Sequence, residues 1–258
     1  MSSQYPAEPT DIFDVFDNAM RSSFKVLKAS IALIILITLA QGVIVYLGSI
    51  SHSFTLNTIF EVIGGIIFLF FGCAMLYQAN TVLQDKPISY QTAIQAMLPR
   101  IFKFYITLVV SLFIVFAYYV LAAYLMHLWG GTPSAHSSHT TRSLIFALVG
   151  LVPIIVCIGF YIFTFPLIIL DDLPPLKAFA QSYRLVRARW LHSFTVYVAI
   201  GIVLLLVLPG TRHAMFFRRH HVLLLFDFVV FCILLPFLVN YVLFMLNDMK
   251  VRWQLDQE

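Results

Sequence analysis

The sequence predicts an all-α polytopic membrane protein, and three observations carry that expectation. Apolar residues make up 61% of the 258-residue chain and charged residues 11%, about half the charged share of a soluble domain. The mean hydropathy is +0.92. Several apolar runs reach the ~20 residues a helix needs to cross a bilayer. In hydrocarbon every backbone polar group needs an internal partner, which leaves helices or a closed barrel. The runs are continuously apolar rather than alternating, so the barrel is rejected. The expected layout is six transmembrane helices and three amphipathic interfacial helices in one integral domain, with a threefold repeat of interfacial helix, span and span.

The first helix follows from Thr10–Lys28. Phe13, Phe16, Met20, Phe24 and Leu27 recur at spacings of three and four, with Asp11, Asp14, Asp17, Arg21, Lys25 and Lys28 between them. Thr10 is positioned as an N-cap, and acids early with bases late suit the helix dipole. This is the first interfacial helix, about 10–28. Span one follows at about 29–48. Early acidic residues and the length of that apolar run argue for a retained membrane helix rather than a cleavable signal. A loop without Lys or Arg leads to span two, about 58–80, where Gly64, Gly65 and Gly72 allow close helix approach.

Gln84-Asp85 ends that hairpin, and Pro87 with Ser89 opens the second interfacial helix, about 88–101. Tyr90, Ile94, Met97, Leu98, Ile101 and Phe102 form its apolar side, and Pro99 is expected to break it. Span three runs from about 104 to 128. A Ser/Thr/His loop then leads to span four, about 143–170, with Pro153 and Pro166 as kink positions. Asp171-Asp172 and Pro174-Pro175 introduce the third interfacial helix, about 174–190. There Leu176, Phe179, Ala180, Tyr183, Val186 and Trp190 are assigned to one face and Lys177, Gln181, Arg184 and Arg187 to the other. Span five covers about 191–208. Span six covers about 222–246, contains Pro236 and ends at Asn247-Asp248.

Six spans put both termini on one side, and charge selects it. Arg21, Lys25, Lys28, Lys86, Arg100, Lys103, Lys177, Arg184, Arg187, Arg189, Lys250 and Arg252 fall on the terminal side, twelve of the sixteen Lys and Arg residues. Only Arg142, Arg212, Arg218 and Arg219 fall on the other. Positive charge accumulates in cytoplasmic loops, so both termini are expected on the cytoplasmic side of the membrane. The similar exits Gln84-Asp85, Asp171-Asp172 and Asn247-Asp248, and Asp85-x-Pro87 echoing Asp172-x-Pro174, are the signs of the repeat.

Pro166, Asp172, Ala178-Phe179, Ser182, Leu185-Val186-Arg187 and Trp190 form a pattern of their own. It is a span ending in Pro, an acid, then a helix with Ala-hydrophobic, Ser, Leu-Val-basic and Trp. In this the chain resembles the YciC-like bacterial inner-membrane proteins of unknown function and the membrane domain attached to some glycerophosphodiester phosphodiesterases. The glycine usual after the basic residue is Ala188 here. The resemblance implies the membrane architecture. It implies no enzymatic role, because the phosphodiesterase barrel is absent.

Function is read from the charged groups. Arg184, Arg187, Arg189, Lys177, Arg100, Lys103, Arg21 and Lys25 lie on or at the ends of the interfacial helices and are the candidates for anionic lipid headgroups of the cytoplasmic leaflet or a docked partner. Topology-setting is their bland alternative. A protein partner and a homo-oligomer both stay open, and no soluble domain exists to hold nucleic acid. Glu61 and Asp227 are intramembrane ionisable groups, read as structural pairs or, in the alternative of a small transporter, as part of a translocation path. Gln41, Gln78, Asn80 and Asn240 are candidate interhelical hydrogen-bonding groups.

His52, His127, His136, His139, His213, His220 and His221 crowd the outer side, with no metal-ligand spacing. A metal-dependent intramembrane enzyme is therefore the weakest reading. Cys73, Cys157 and Cys232 sit in apolar runs without a redox motif. No nucleophile elbow or phosphate loop is present, and no paired carboxylates are read on a common cytoplasmic face. The expectation is a non-enzymatic, cofactor-free membrane component.

Overall fold

The computed structural model describes residues 5–50, 54–129, 161–187, 189–196, 198–199 and 221–256. Among these every regular element is helical. In order they are α1 (Ile12–Ile50), α2 (Phe54–Leu83), α3 (Tyr90–Met97), a 3-10 turn (Leu98–Arg100), α4 (Ile101–Trp129), α5 (Thr164–Asp171), α6 (Pro175–Arg187) and α7 (His221–Leu255). Residues 190–196 are also helical. Among the described residues four segments are long and apolar enough to cross a membrane: Ile12–Ile44, Thr58–Leu83, Tyr90–Tyr118 and Cys232–Leu255. They coincide with the first, second, third and sixth expected spans. Most of span four and span five, Pro153, Cys157 and the 130–142 and 210–220 loops lie outside the described residues.

The first interfacial helix and the first span are not separate. α1 continues unbroken for 39 residues, roughly 58 Å at the standard rise. No proline or glycine interrupts the backbone between Ile12 and Gln41. A hydrocarbon core of ~30 Å holds only part of such a helix unless it tilts. Its cross-section has three arcs. Val15, Ala19, Val26, Leu33 and Ile37 are buried. A charged arc carries Asp14, Arg21 and Lys25. Phe13, Met20, Phe24, Ile31 and Ile35 form an exposed apolar arc, with Phe13 86% and Phe24 76% exposed. That apolar strip runs continuously from the amphipathic half into the span, as a lipid-facing surface must.

The second junction does break where the sequence places it. Ser89 caps α3, its hydroxyl accepting from the Thr92 N–H at 3.2 Å. Pro99 then sits in the 3-10 turn between α3 and α4, since proline lacks the N–H that an α-helical turn requires. At the third junction α6 ends at Arg187, and a bend at Arg189 precedes the helical segment 190–196.

The core gathers at the basic end of the bundle. α1 packs most extensively on α2 and α7. Leu33, Met75, Leu83, Leu167, Ile168, Leu243 and Met245 are fully buried there. Asn240 of α7 reaches α1, with Nδ2 3.4 Å from Ser22 Oγ and 3.5 Å from the Ala19 carbonyl. This is an interhelical amide of the kind expected. Gln78 and Asn80 are used differently. Gln78 Nε2 donates to the Ile88 carbonyl at 3.1 Å, tying the loop after α2, and Asn80 Oδ1 accepts from the Tyr5 hydroxyl at 2.8 Å. The Gln41 side chain lies outside the described set.

The last helix runs on past the expected end of span six at Asn247-Asp248, since α7 continues to Leu255. One expectation is corrected. In α6 the buried residues are Ala178, Ser182, Leu185 and Val186. Leu176 and Tyr183, assigned to the apolar face, are exposed. The core-facing stripe is set by the small Ala178 and Ser182, which let α6 approach α5 closely. Ser182 Oγ accepts the Phe163 N–H at 3.2 Å, satisfying a buried amide at the start of α5.

Candidate basic interfacial surface

The chain leaves both α2 and α5 through an aspartate in the left-handed region, Asp85 at φ 56° and Asp172 at φ 52°. Aspartate tolerates this backbone better than most residues because its short carboxylate bonds locally. The reversal turns each carboxylate back toward a basic residue of an earlier helix. Lys25 Nζ lies 2.8 Å from Asp85 Oδ1. Lys103 Nζ lies 2.9 Å from Asp172 Oδ1, with Arg100 Nε at 3.6 Å. Arg100 also donates to the Ile169 carbonyl and sits 4.9 Å from the Tyr77 ring centroid. The Lys103 hydrogen bond, helped by the charges of Lys103 and Arg100, holds the Asp172 carboxyl below its ordinary value despite some desolvation.

The third aspartate makes the largest cluster. Asp248 is 3% exposed, and its carboxylate accepts from Arg252 Nε at 2.7 Å, the Thr10 N–H at 2.8 Å and His192 Nε2 at 3.1 Å. The Thr10 hydroxyl stands 3.4 Å away. Thr10 therefore serves α7 rather than capping α1 through its side chain. Arg252 donates in turn to the Thr10 carbonyl. The N-terminal segment is thus strapped across the basic end. The Tyr5 ring packs edge-on against Phe244 at 5.4 Å, and Asn247 Nδ2 donates to the Pro6 carbonyl at 3.2 Å. Burial pushes the Tyr5 phenol up. Lys250 meets Asp171 at 2.6 Å, and Arg189 meets Asp256 at 3.4 Å.

The eight basic candidates divide into two groups. Arg21 pairs with Asp17 at 2.7 Å. Lys25, Arg100, Lys103 and Arg189 pair with the carboxylates named above. Lys177, Arg184 and Arg187 have no carboxylate partner among the described residues. All three are exposed on the arc of α6 opposite its buried stripe, interleaved with Leu176, Ala180 and Tyr183.

Glu61 lies in the first half of α2 and Asp227 in the first two turns of α7. Their side chains are outside the described set, as are those of His127 and His221. His52, His136, His139, His213 and His220 lie outside the described residues. Among the described residues no group of three His, Cys, Asp or Glu side chains could hold a metal ion.

The sequence marked the cations but missed Asp248 as a hub. Its available signals were an acid four residues before Arg252 on one helix face and an ionisable group inside an apolar run. Comparison with known protein families, characterised proteins and solved structures finds no match to the chain.

Proposed function

We propose that the chain is a non-enzymatic bacterial inner-membrane protein that holds anionic phospholipid headgroups against its cytoplasmic face, with α6 as the contact. The observation that carries this is the cationic arc of α6. Among the described residues Lys177, Arg184 and Arg187 have no carboxylate partner, whereas the other five candidates each pair with one. Leu176, 81% exposed, and Tyr183 on the same arc suit the boundary between headgroups and acyl chains. Each cation near an anionic leaflet contributes about 1 kcal/mol.

In this reading the chain crosses the bilayer six times with both termini cytoplasmic, as three units of interfacial helix, span and span, and belongs with the YciC-like proteins. The unit repeat draws support from register. Lys25–Asp85, Lys103–Asp172 and His192–Asp248 pair the start of one span with the end of the next, 60, 69 and 56 residues apart. Ten residues before each basic partner stand Val15, Ala93 and Ser182. Six before stand Ala19, Met97 and Val186, and one after stand Val26, Phe104 and Ser193. All nine are buried.

Arg184→Glu combined with Arg187→Glu is the test. Native mass spectrometry of gently extracted protein should show the ratio of anionic to zwitterionic lipid on the variant falling on the order of tenfold or more. An unchanged ratio overturns the reading. The topology has its own check, in a chain freed of its three native cysteines. Single cysteines at Gln95 and Ala180 should both react with an impermeant maleimide only from the cytoplasmic side. Labelling from opposite sides would dismantle the six-span layout.

A further inference from the structure

A second basic surface stands apart from α6 and has a shape of its own. An open cleft of about 280 Å³ lies between α1 and α7, lined by Asn18, Arg21, Ser22, Lys25 and Phe244. Asn18 stands three and four residues before Arg21 and Ser22, and Lys25 three and four residues after Ser22 and Arg21, so the four form a single polar stripe about two turns long. We propose that this cleft binds one phosphate group, carried either by a phospholipid headgroup or by a small phosphorylated solute. This proposal does not depend on α6.

Two cations one helical turn apart line one wall. Arg21 gives one guanidinium nitrogen to Asp17 at 2.7 Å, and Lys25 one ammonium contact to Asp85 at 2.8 Å. A guanidinium has five N–H donors and an ammonium three, so both keep donors for an oxyanion. A phosphate offers several acceptor oxygens at once, and charge-assisted bonds from Arg and Lys are the strongest such contacts. The neutral lining adds the Asn18 amide. Ser22 sets the inner edge, its hydroxyl donating to the Asn18 carbonyl at 2.7 Å. Behind it Asn240, fully buried, approaches Ser22 Oγ with Nδ2 at 3.4 Å. A buried amide in lipid is costly, and here it steadies the wall that carries both cations. Phe244 supplies the apolar side, its ring held from elsewhere by Tyr5.

The carboxylate partners fix the two cations in place without filling the cleft, since neither Asp17 nor Asp85 lines it. The neighbouring arc of α1 bears the exposed Met20 and Phe24. A phosphate at Arg21 can therefore belong to an amphiphile whose chains lie against that arc.

The experiment uses the full chain in nanodiscs and in detergent. Native mass spectrometry counts phospholipid retained through delipidation, and isothermal titration follows inorganic phosphate and glycerol phosphate. Two variants are compared with the wild type: Arg21→Gln with Lys25→Gln, which removes both charges, and Asn18→Phe, which fills the cleft and keeps both ion pairs. Thermal melts check that each is folded. Wild-type protein should retain phospholipid with affinity on the order of tenfold above either variant.

Retention insensitive to millimolar phosphate identifies a lipid-borne group. Displacement by inorganic phosphate or glycerol phosphate identifies a free solute, and both results support the site. Equal binding by the wild type and a folded Asn18→Phe variant overturns it, as does wild-type protein that binds neither probe.

Discussion

Replacing Asp248 by alanine is expected to produce the largest loss of stability of any single substitution at the basic end, about 3–5 kcal/mol. The carboxylate is nearly inaccessible and gathers a guanidinium, an imidazole and the Thr10 amide from three parts of the chain. Removing it leaves Arg252 without its counter-charge and His192 without its hydrogen-bond partner in a partly buried space. It also leaves the Thr10 N–H without its acceptor, and a buried donor stripped of its partner costs more than a typical hydrogen bond gains. The melting temperature in mild detergent should fall by many degrees. The N-terminal strap should become accessible to protease around Tyr5–Thr10 before the helices melt. Asp248→Asn keeps an oxygen for the Thr10 amide and loses only the charge, so it should lie between wild type and alanine. An Asp248→Ala protein that melts with the wild type and keeps its strap protected would remove Asp248 from its central position.

What the sequence revealed and what it concealed both follow from range. Four spans were legible because hydropathy is a local property summed over some 20 residues, and Ser89 and Pro99 because capping and ring geometry act within one turn. The continuity of α1 through residue 28 was not legible. Amphipathic and uniformly apolar halves look like two elements by pattern, yet no backbone feature between them stops a helix.

The face of α6 was misread for a related reason. A hydrophobic stripe counts large apolar side chains, whereas close packing on α5 selected Ala178 and Ser182 and turned Leu176 and Tyr183 outward. The site divided in the same way. Eight cations could be named from the positive-inside pattern, but apart from Arg21, whose partner Asp17 is one turn away, their pairing depended on carboxylates 60 residues or more distant. Asp85 and Asp172 looked like mere exits. Their left-handed backbone, which aims each carboxylate backward, is set by the fold.

Arg100 is where that long-range logic can be measured. Its guanidinium caps the Ile169 carbonyl, one of the last four in α5 that lack a partner within the helix. Its positive charge near that C-terminus suits the helix dipole. The same group stacks against Tyr77 of α2 and stands within reach of Asp172. Arg100→Ala should therefore cost about 2–4 kcal/mol, combining a charge-assisted hydrogen bond and a partly desolvated cation–π contact. Arg100→Lys should recover less than half, because a single ammonium cannot reach a carbonyl, a ring and a carboxylate with one geometry.

Acid offers a second reading of the same junction. Because Asp172 is held below its ordinary value when folded, its contribution is complete above the unfolded carboxylate range and disappears as pH falls through the lowered folded value. The gap in melting temperature between wild type and Arg100→Ala should thus narrow in that acidic window. It should not close, since the carbonyl and ring contacts do not titrate there. A gap that vanished entirely would mean Arg100 acts only through Asp172, and one that never narrowed would mean the carboxylate contributes nothing to holding α4 against α5.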